Sequence, residues 1–73
     1  MEKILKSIIL EFMKTAQPVG SVVVWERYKI KTNLPIRNDM SDLIKLGFLE
    51  KENFSSGRIP TVVGLRYVFF VFP

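Results

Sequence analysis

Arg37, Asn38 and Ser41 fall in one short stretch, and each carries groups suited to the edges of base pairs. An arginine can bond guanine through two nitrogens, an asparagine can bond adenine, and a serine hydroxyl fits either. If the stretch is helical, a step of about 100° per residue places Leu34, Arg37, Asn38, Ser41 and Lys45 on the side away from Ile36, Met40 and Leu43, or on its flank. Most of this polar set lies in the N-terminal half of the helix, the half that a reading helix drives into a major groove. A plain solvated face has the same composition, so the face alone leaves both explanations standing. Leu34 either touches a thymine methyl or packs on a neighbouring helix.

A second group lies in Asn53-Phe54-Ser55-Ser56-Gly57-Arg58. Backbone N–H groups, the hydroxyls of Ser55 and Ser56 and the Arg58 guanidinium could hold phosphates or reach a minor groove. An ordinary polar turn would also look like this. The spacing of a nucleotide-binding P-loop is absent. Thr32, Asn33, Lys45 and Lys51 are further candidates for phosphate contacts. Asp39 and Asp42 stand three apart, but without metal-ligating neighbours they make a weak acid–base pair, and Asp39 is expected to pair with Arg37 or a neighbouring helix. Trp25 could stack a ligand, although a lone tryptophan on a short helix more often fills the edge of a core.

The chain has no cysteine and no histidine. That excludes thiolate zinc sites, disulfide frameworks, Cys/His nucleophile pairs and Ser-His-Asp triads. The expectation is a protein that is not an enzyme and needs no cofactor and no metal. Seventy-three residues suffice for one domain, 1–73, with a small and simple core. Eleven Lys and Arg against seven Asp and Glu leave a net charge of +4. Such a surplus favours a polyanionic partner, nucleic acid or a membrane surface, or serves solubility alone. Met1-Glu2-Lys3 opens a charged helix rather than a signal peptide. The longest apolar run, Tyr67 to Phe72, is far short of the ~20 residues that cross a bilayer. These features place the chain in the cytoplasm, with no membrane partner.

The elements that must position the polar groups follow from periodicity. Ile4, Leu5, Ile8, Ile9, Phe12 and Ala16 recur at three- and four-residue steps, with Glu2, Lys3, Lys6, Glu11 and Lys14 largely between them, which predicts a helix over about 2–16. Gln17-Pro18-Val19-Gly20 ends it. Ser21 then offers an N-cap. The three valines that follow favour strand by propensity, while the capped length suits a helix over 21–28. A third helix spans about 33–46, capped by Thr32 or Asn33, with Pro35 in its first turn and Gly47 as its stop. Phe48 to Pro60 reads as a hairpin. The tail, 61–73, is ambiguous: its aromatic and β-branched residues favour strand, whereas Thr61 offers a helix cap. The expected class is α+β, mostly α: a winged helix-turn-helix of three helices, a β-hairpin wing and an apolar C-terminal segment. The tail carries more apolar area than a core of this size should cover.

Ile36-Arg37-Asn38-Asp39-Met40 through Leu43, Leu46-Gly47-Phe48-Leu49-Glu50, Ser55 and Gly57-Arg58-Ile59-Pro60-Thr61 together resemble the N-terminal domain of the HrcA family, bacterial heat-inducible transcription repressors. Pro18-Val19-Gly20-Ser21, Tyr28, Gly64 and Arg66-Tyr67-Val68 extend the resemblance over nearly the whole chain. It implies a winged helix-turn-helix that binds double-stranded DNA at an inverted-repeat operator upstream of chaperone genes. It also implies helix for 22–28 and for the tail from about Thr61. A homodimer formed through domains further along a longer chain, and a link to the chaperonin, are implied as well. Arg37, Asn38 and Ser41 would read bases; Thr32, Asn33, Lys45, Lys51, Ser55, Ser56 and Arg58 would hold the backbone or form the wing. The sequence departs from the family at Pro35, where threonine is usual, and at Asn53-Phe54, where His-Thr is usual. The rival expectation is a winged helix used for protein interaction or dimerisation without reading DNA, with the apolar tail as its evidence.

Overall fold

The computed structural model describes residues 2–30, 35–51 and 57–71. Helix α1 (Glu2–Thr15) sends Ile4, Leu5, Ile8 and Ile9 into the core, where they are essentially inaccessible. Their three- and four-residue spacing produces one apolar stripe, and burying it is what holds an isolated helix of this length. The helix stops one residue before Ala16, which takes a left-handed φ of 55°.

Pro18-Val19 does more than terminate α1. Val19 is buried and exchanges two backbone hydrogen bonds, each 2.9 Å, with Arg58. The segment thereby lies along one edge of the strand that contains Arg58, a pairing that local sequence signals do not reveal.

Helix α2 (Ser21–Tyr28) confirms helix over strand for the valine run. Val24 is completely buried, and tertiary packing overrides the β-propensity of its neighbours. The expected cap is corrected, however: Gly20, in an extended conformation, occupies the N-cap and Ser21 is already helical. Lys29 takes a left-handed conformation at the C-terminal end and turns the chain away.

Helix α3 (Ile36–Lys45) starts later than the sequence pattern predicts. Pro35 has ψ 139° and forms the N-cap, so it precedes the first turn instead of lying in it. The proposed caps Thr32 and Asn33 lie outside the described residues. Ile36, Met40 and Leu43 are buried as the wheel requires. At the other end Gly47, at φ +88°, allows Gly47 N–H to reach the Ile44 carbonyl and Phe48 N–H to reach the Leu43 carbonyl, the paired bonds of a Schellman stop.

Strands β1 (Leu49–Lys51) and β2 (Arg58–Pro60) pair antiparallel, with Leu49 opposite Pro60, Glu50 opposite Ile59 and Lys51 opposite Arg58. Helix α4 (Val62–Arg66) follows and continues as a π-helical turn over Tyr67–Val71, so the described part of the tail is helical despite its strand-like composition. Thr61 explains the choice. Its hydroxyl accepts from Gly64 N–H at 3.0 Å and donates to the Gly47 carbonyl at 2.6 Å, while its own N–H donates to the Phe48 carbonyl. One residue thus caps α4 and fastens it to the end of α3. Val68 enters the core and the Tyr67 ring packs on Phe48 at 5.0 Å between centroids, whereas Phe69 and Phe70 stay exposed.

Candidate nucleic-acid interface

The burial of Ile36, Met40 and Leu43 decides which way α3 faces. With that side anchored, Arg37, Asn38, Ser41, Asp42 and Lys45 are all exposed on the remaining surface. Packing against α1, α2 and β1 holds the helix from behind. Asp39 is half-buried, and among the described residues no ion pair joins it to Arg37, whereas Glu11 and Arg27 do form one. The Arg37 guanidinium is therefore not committed to Asp39.

The hairpin adds a second positive feature. Its register sets Lys51 directly opposite Arg58. Lys51 is exposed; Arg58 is half-buried and donates from Nη1 to the Gly57 carbonyl at 3.2 Å. Thr32, Asn33, Ser55 and Ser56 lie outside the described residues, so no geometry is attached to them. Trp25 reverses its expected placement: it is 58% exposed on the outer side of α2, beside Val22, instead of filling a core edge.

Sequence reasoning missed one constellation. Glu11 is buried, and its Oε2 accepts from Arg27 Nη1 at 2.9 Å while its Oε1 accepts from the Tyr28 hydroxyl at 3.2 Å. The available signal was its position: Glu11 continues the spacing of Ile4 and Ile8 and so belongs to the buried stripe. Burial of the phenol, the hydrogen bond to Glu11 and the negative charge of Glu11 push the Tyr28 pKa above the ordinary 10.0, with the Arg27 charge opposing. A phenol with a raised folded-state pKa stabilises the fold fully below its unfolded value and loses that contribution as pH rises through the folded value. The melting temperature of Tyr28→Phe should accordingly lie below that of the parent at pH 7, and the gap should narrow above pH ~10. Thermal melts of both proteins across the alkaline range check this; a gap that stays constant through pH ~11 contradicts it.

Among the described residues no group of three His, Cys, Asp or Glu side chains could hold a metal ion. None of the described helices is long and apolar enough to cross a membrane.

Three helices, the third presenting a polar face from an apolar anchor, followed by a two-stranded hairpin packed beside it, define a winged helix-turn-helix domain. No protein-family model matches the chain. It is 48% identical over 67 residues to the heat-inducible transcription repressor HrcA of Natranaerobius thermophilus, covering 90% of this chain and 20% of that protein. It is 49% identical over 65 residues to HrcA of Bacillus pumilus, covering 88% and 19%. A crystal structure at 2.2 Å resolution, of a protein described only as hypothetical, superposes with a TM-score of 0.85 at 40% identity, over 90% of this chain and 21% of that one. Over about nine-tenths of its length the chain is similar to these heat-inducible transcription repressors, and it spans about a fifth of the length of the curated relatives it matches. Those relatives are heat-inducible transcription repressors by name.

Proposed function

We propose that residues 1–73 act as one DNA-reading domain that binds double-stranded DNA sequence-specifically and serves a repressor of heat-shock genes. The observation that carries this is the outward face of α3, where Arg37, Asn38 and Ser41 stand exposed together because Ile36, Met40 and Leu43 are buried. In this reading those three side chains contact base edges, and Lys45, Lys51 and Arg58, with Thr32, Asn33, Ser55 and Ser56, hold the phosphate backbone or form the wing. The net charge of +4 suits the polyanion. The names of the relatives support the repressor role and the link to heat. An inverted-repeat operator, a homodimer formed in a longer protein, a chaperonin link and a cytoplasmic site extend the family resemblance. Each belongs to this proposal.

Selection from a random duplex library, followed by salt titration on the recovered sequence, tests it. Affinity should fall with salt at a slope of about −0.9 per phosphate neutralised. Lys51→Ala should weaken the recovered and random duplexes about equally and lower the slope by about one, because a phosphate contact carries no sequence information. Recovery of no preferred sequence, or an affinity indifferent to salt, counts against the proposal. The second outcome favours a protein-interaction module, for which Val62, Val63, Phe69 and the 83% exposed Phe70 supply an apolar surface.

A further inference from the structure

Glu11 is a carboxylate in the place of a core residue. It shares the α1 stripe with Ile4 and Ile8, and its side chain is only 5% exposed. A charge there is costly unless matched by donors. Both donors come from consecutive residues of one element, Arg27 and Tyr28 in the last turn of α2. Lys14, one turn beyond Glu11 on α1, adds a cation 6.0 Å from the centre of the Tyr28 ring. The apolar hold on α2 is thin by comparison, since Val24 is the one side chain of this helix that is fully buried. Arg27 itself is 64% exposed, and an ion pair with so wet a partner contributes little to stability. Its consequence is geometric. Directly after Tyr28 the left-handed Lys29 turns the chain, and α2 packs directly against α3, which begins at Ile36.

We infer that Glu11 is the positioning residue of the helix-turn-helix: its buried carboxylate fixes the last turn of α2 against α1 and thereby sets where the N-terminal half of α3, with Arg37 and Asn38, emerges. The inference rests on the DNA-binding reading for its functional consequence. Glu11 touches no ligand and acts through Arg27 and Tyr28. A loosened α2 end would misplace the base-reading side chains while leaving the positive charges of the domain intact.

Glu11→Gln keeps the shape and one acceptor but removes the charge and sets an amide N–H₂ against one of the two donors. On the duplex recovered by selection, well below the melting temperature, its Kd should rise about tenfold, the loss expected for one charge-assisted hydrogen bond. On random duplex, affinity should hold or increase, because the variant is one unit more positive and Glu11 faces no phosphate. A loss confined to the recovered duplex is a result that mere loss of stability does not produce. Tyr28→Phe, which removes one bond and keeps both the ring and the net charge, should raise the Kd on the recovered duplex by a smaller factor and leave the affinity for random duplex unchanged. It carries the test alone if Glu11→Gln does not fold. Amide NMR spectra of the free proteins supply a readout independent of DNA: residues 36–41 should shift in either variant. Unchanged preference for the recovered duplex, with only the melting temperature lowered, overturns the inference. So do unshifted amides over 36–41. If the parent chain selects no duplex at all, the DNA reading fails while the amide shifts still decide whether Glu11 positions α3.

Discussion

Gly64→Ala should lower the melting temperature more than any exposed substitution in this domain. A Cβ built at Gly64 runs into the Phe48 carbonyl oxygen, with the carbonyl carbon at 3.0 Å and Cα at 3.3 Å. These are backbone atoms at the exit of the α3 stop, so no side chain can swing aside. The same glycine donates its N–H to the Thr61 hydroxyl, and Thr61 in turn is bonded to Gly47 and Phe48. Pushing α4 outward strains that whole junction. The expected cost is about 2–3 kcal/mol, the upper part of the range for inserting a methyl into a packed site. For a domain of this size that corresponds to a loss of about 10–20 °C in melting temperature. Gly20→Ala is the control, since nothing lies within 4 Å of its added Cβ and its backbone is ordinary extended chain. It should cost at most about 1 kcal/mol, through the poorer N-cap. Circular-dichroism melts of the two variants decide the matter, and a Gly64→Ala protein as stable as Gly20→Ala would show that α4 does not sit on Phe48 as described.

Asn38→Ala should cost about 1–3 kcal/mol, roughly 5- to 150-fold, on the preferred duplex and almost nothing on random DNA. The side chain is exposed, its backbone N–H is occupied by the Pro35 carbonyl at 2.9 Å, and it stands at the third position of α3. Its truncation removes a carboxamide that can bond adenine through two atoms and disturbs no buried contact. Competition binding of the two duplexes, with a melt to show that the fold is intact, measures the effect. Equal loss on both duplexes would make Asn38 a backbone contact. No loss on either would mean that this face of α3 does not read bases. Arg37→Ala separates three roles in the same assay: loss on the preferred duplex alone marks a reader, equal loss a phosphate clamp, and a lowered melting temperature a structural brace. The absence of an ion pair to Asp39 argues against the last.

The elements legible from sequence are those whose cause is local. The stripe Ile4, Leu5, Ile8, Ile9 specifies α1, and Ile36, Met40, Leu43 specify the face of α3, because helical periodicity needs no partner to be visible. Gly47 announces its stop because a left-handed φ selects glycine. Thr61 is legible as a cap because its hydroxyl can accept an orphan helix N–H a few residues on. The order of helices and hairpin, and with it the winged-helix class, followed from these pieces and from a resemblance that spans nearly the whole chain.

What the tertiary structure decided involves residues distant in the chain. The sequence left the tail between strand and helix. Its described part is helical because a residue without a side chain at 64 lets α4 lie on Phe48 and because the Thr61 hydroxyl reaches back to Gly47. The three valines of α2 are helical because Val24 has a core to enter. Val19 pairs with Arg58, and Glu11 with Arg27 and Tyr28, across separations that leave no local pattern. Trp25 faces outward because the inward side of α2 is taken by Val24, with Val23 and Tyr28 half-buried beside it. Composition and periodicity report what a segment prefers. Which of two near-equal preferences is realised, and where a buried charge finds its donors, depends on the neighbours that folding supplies.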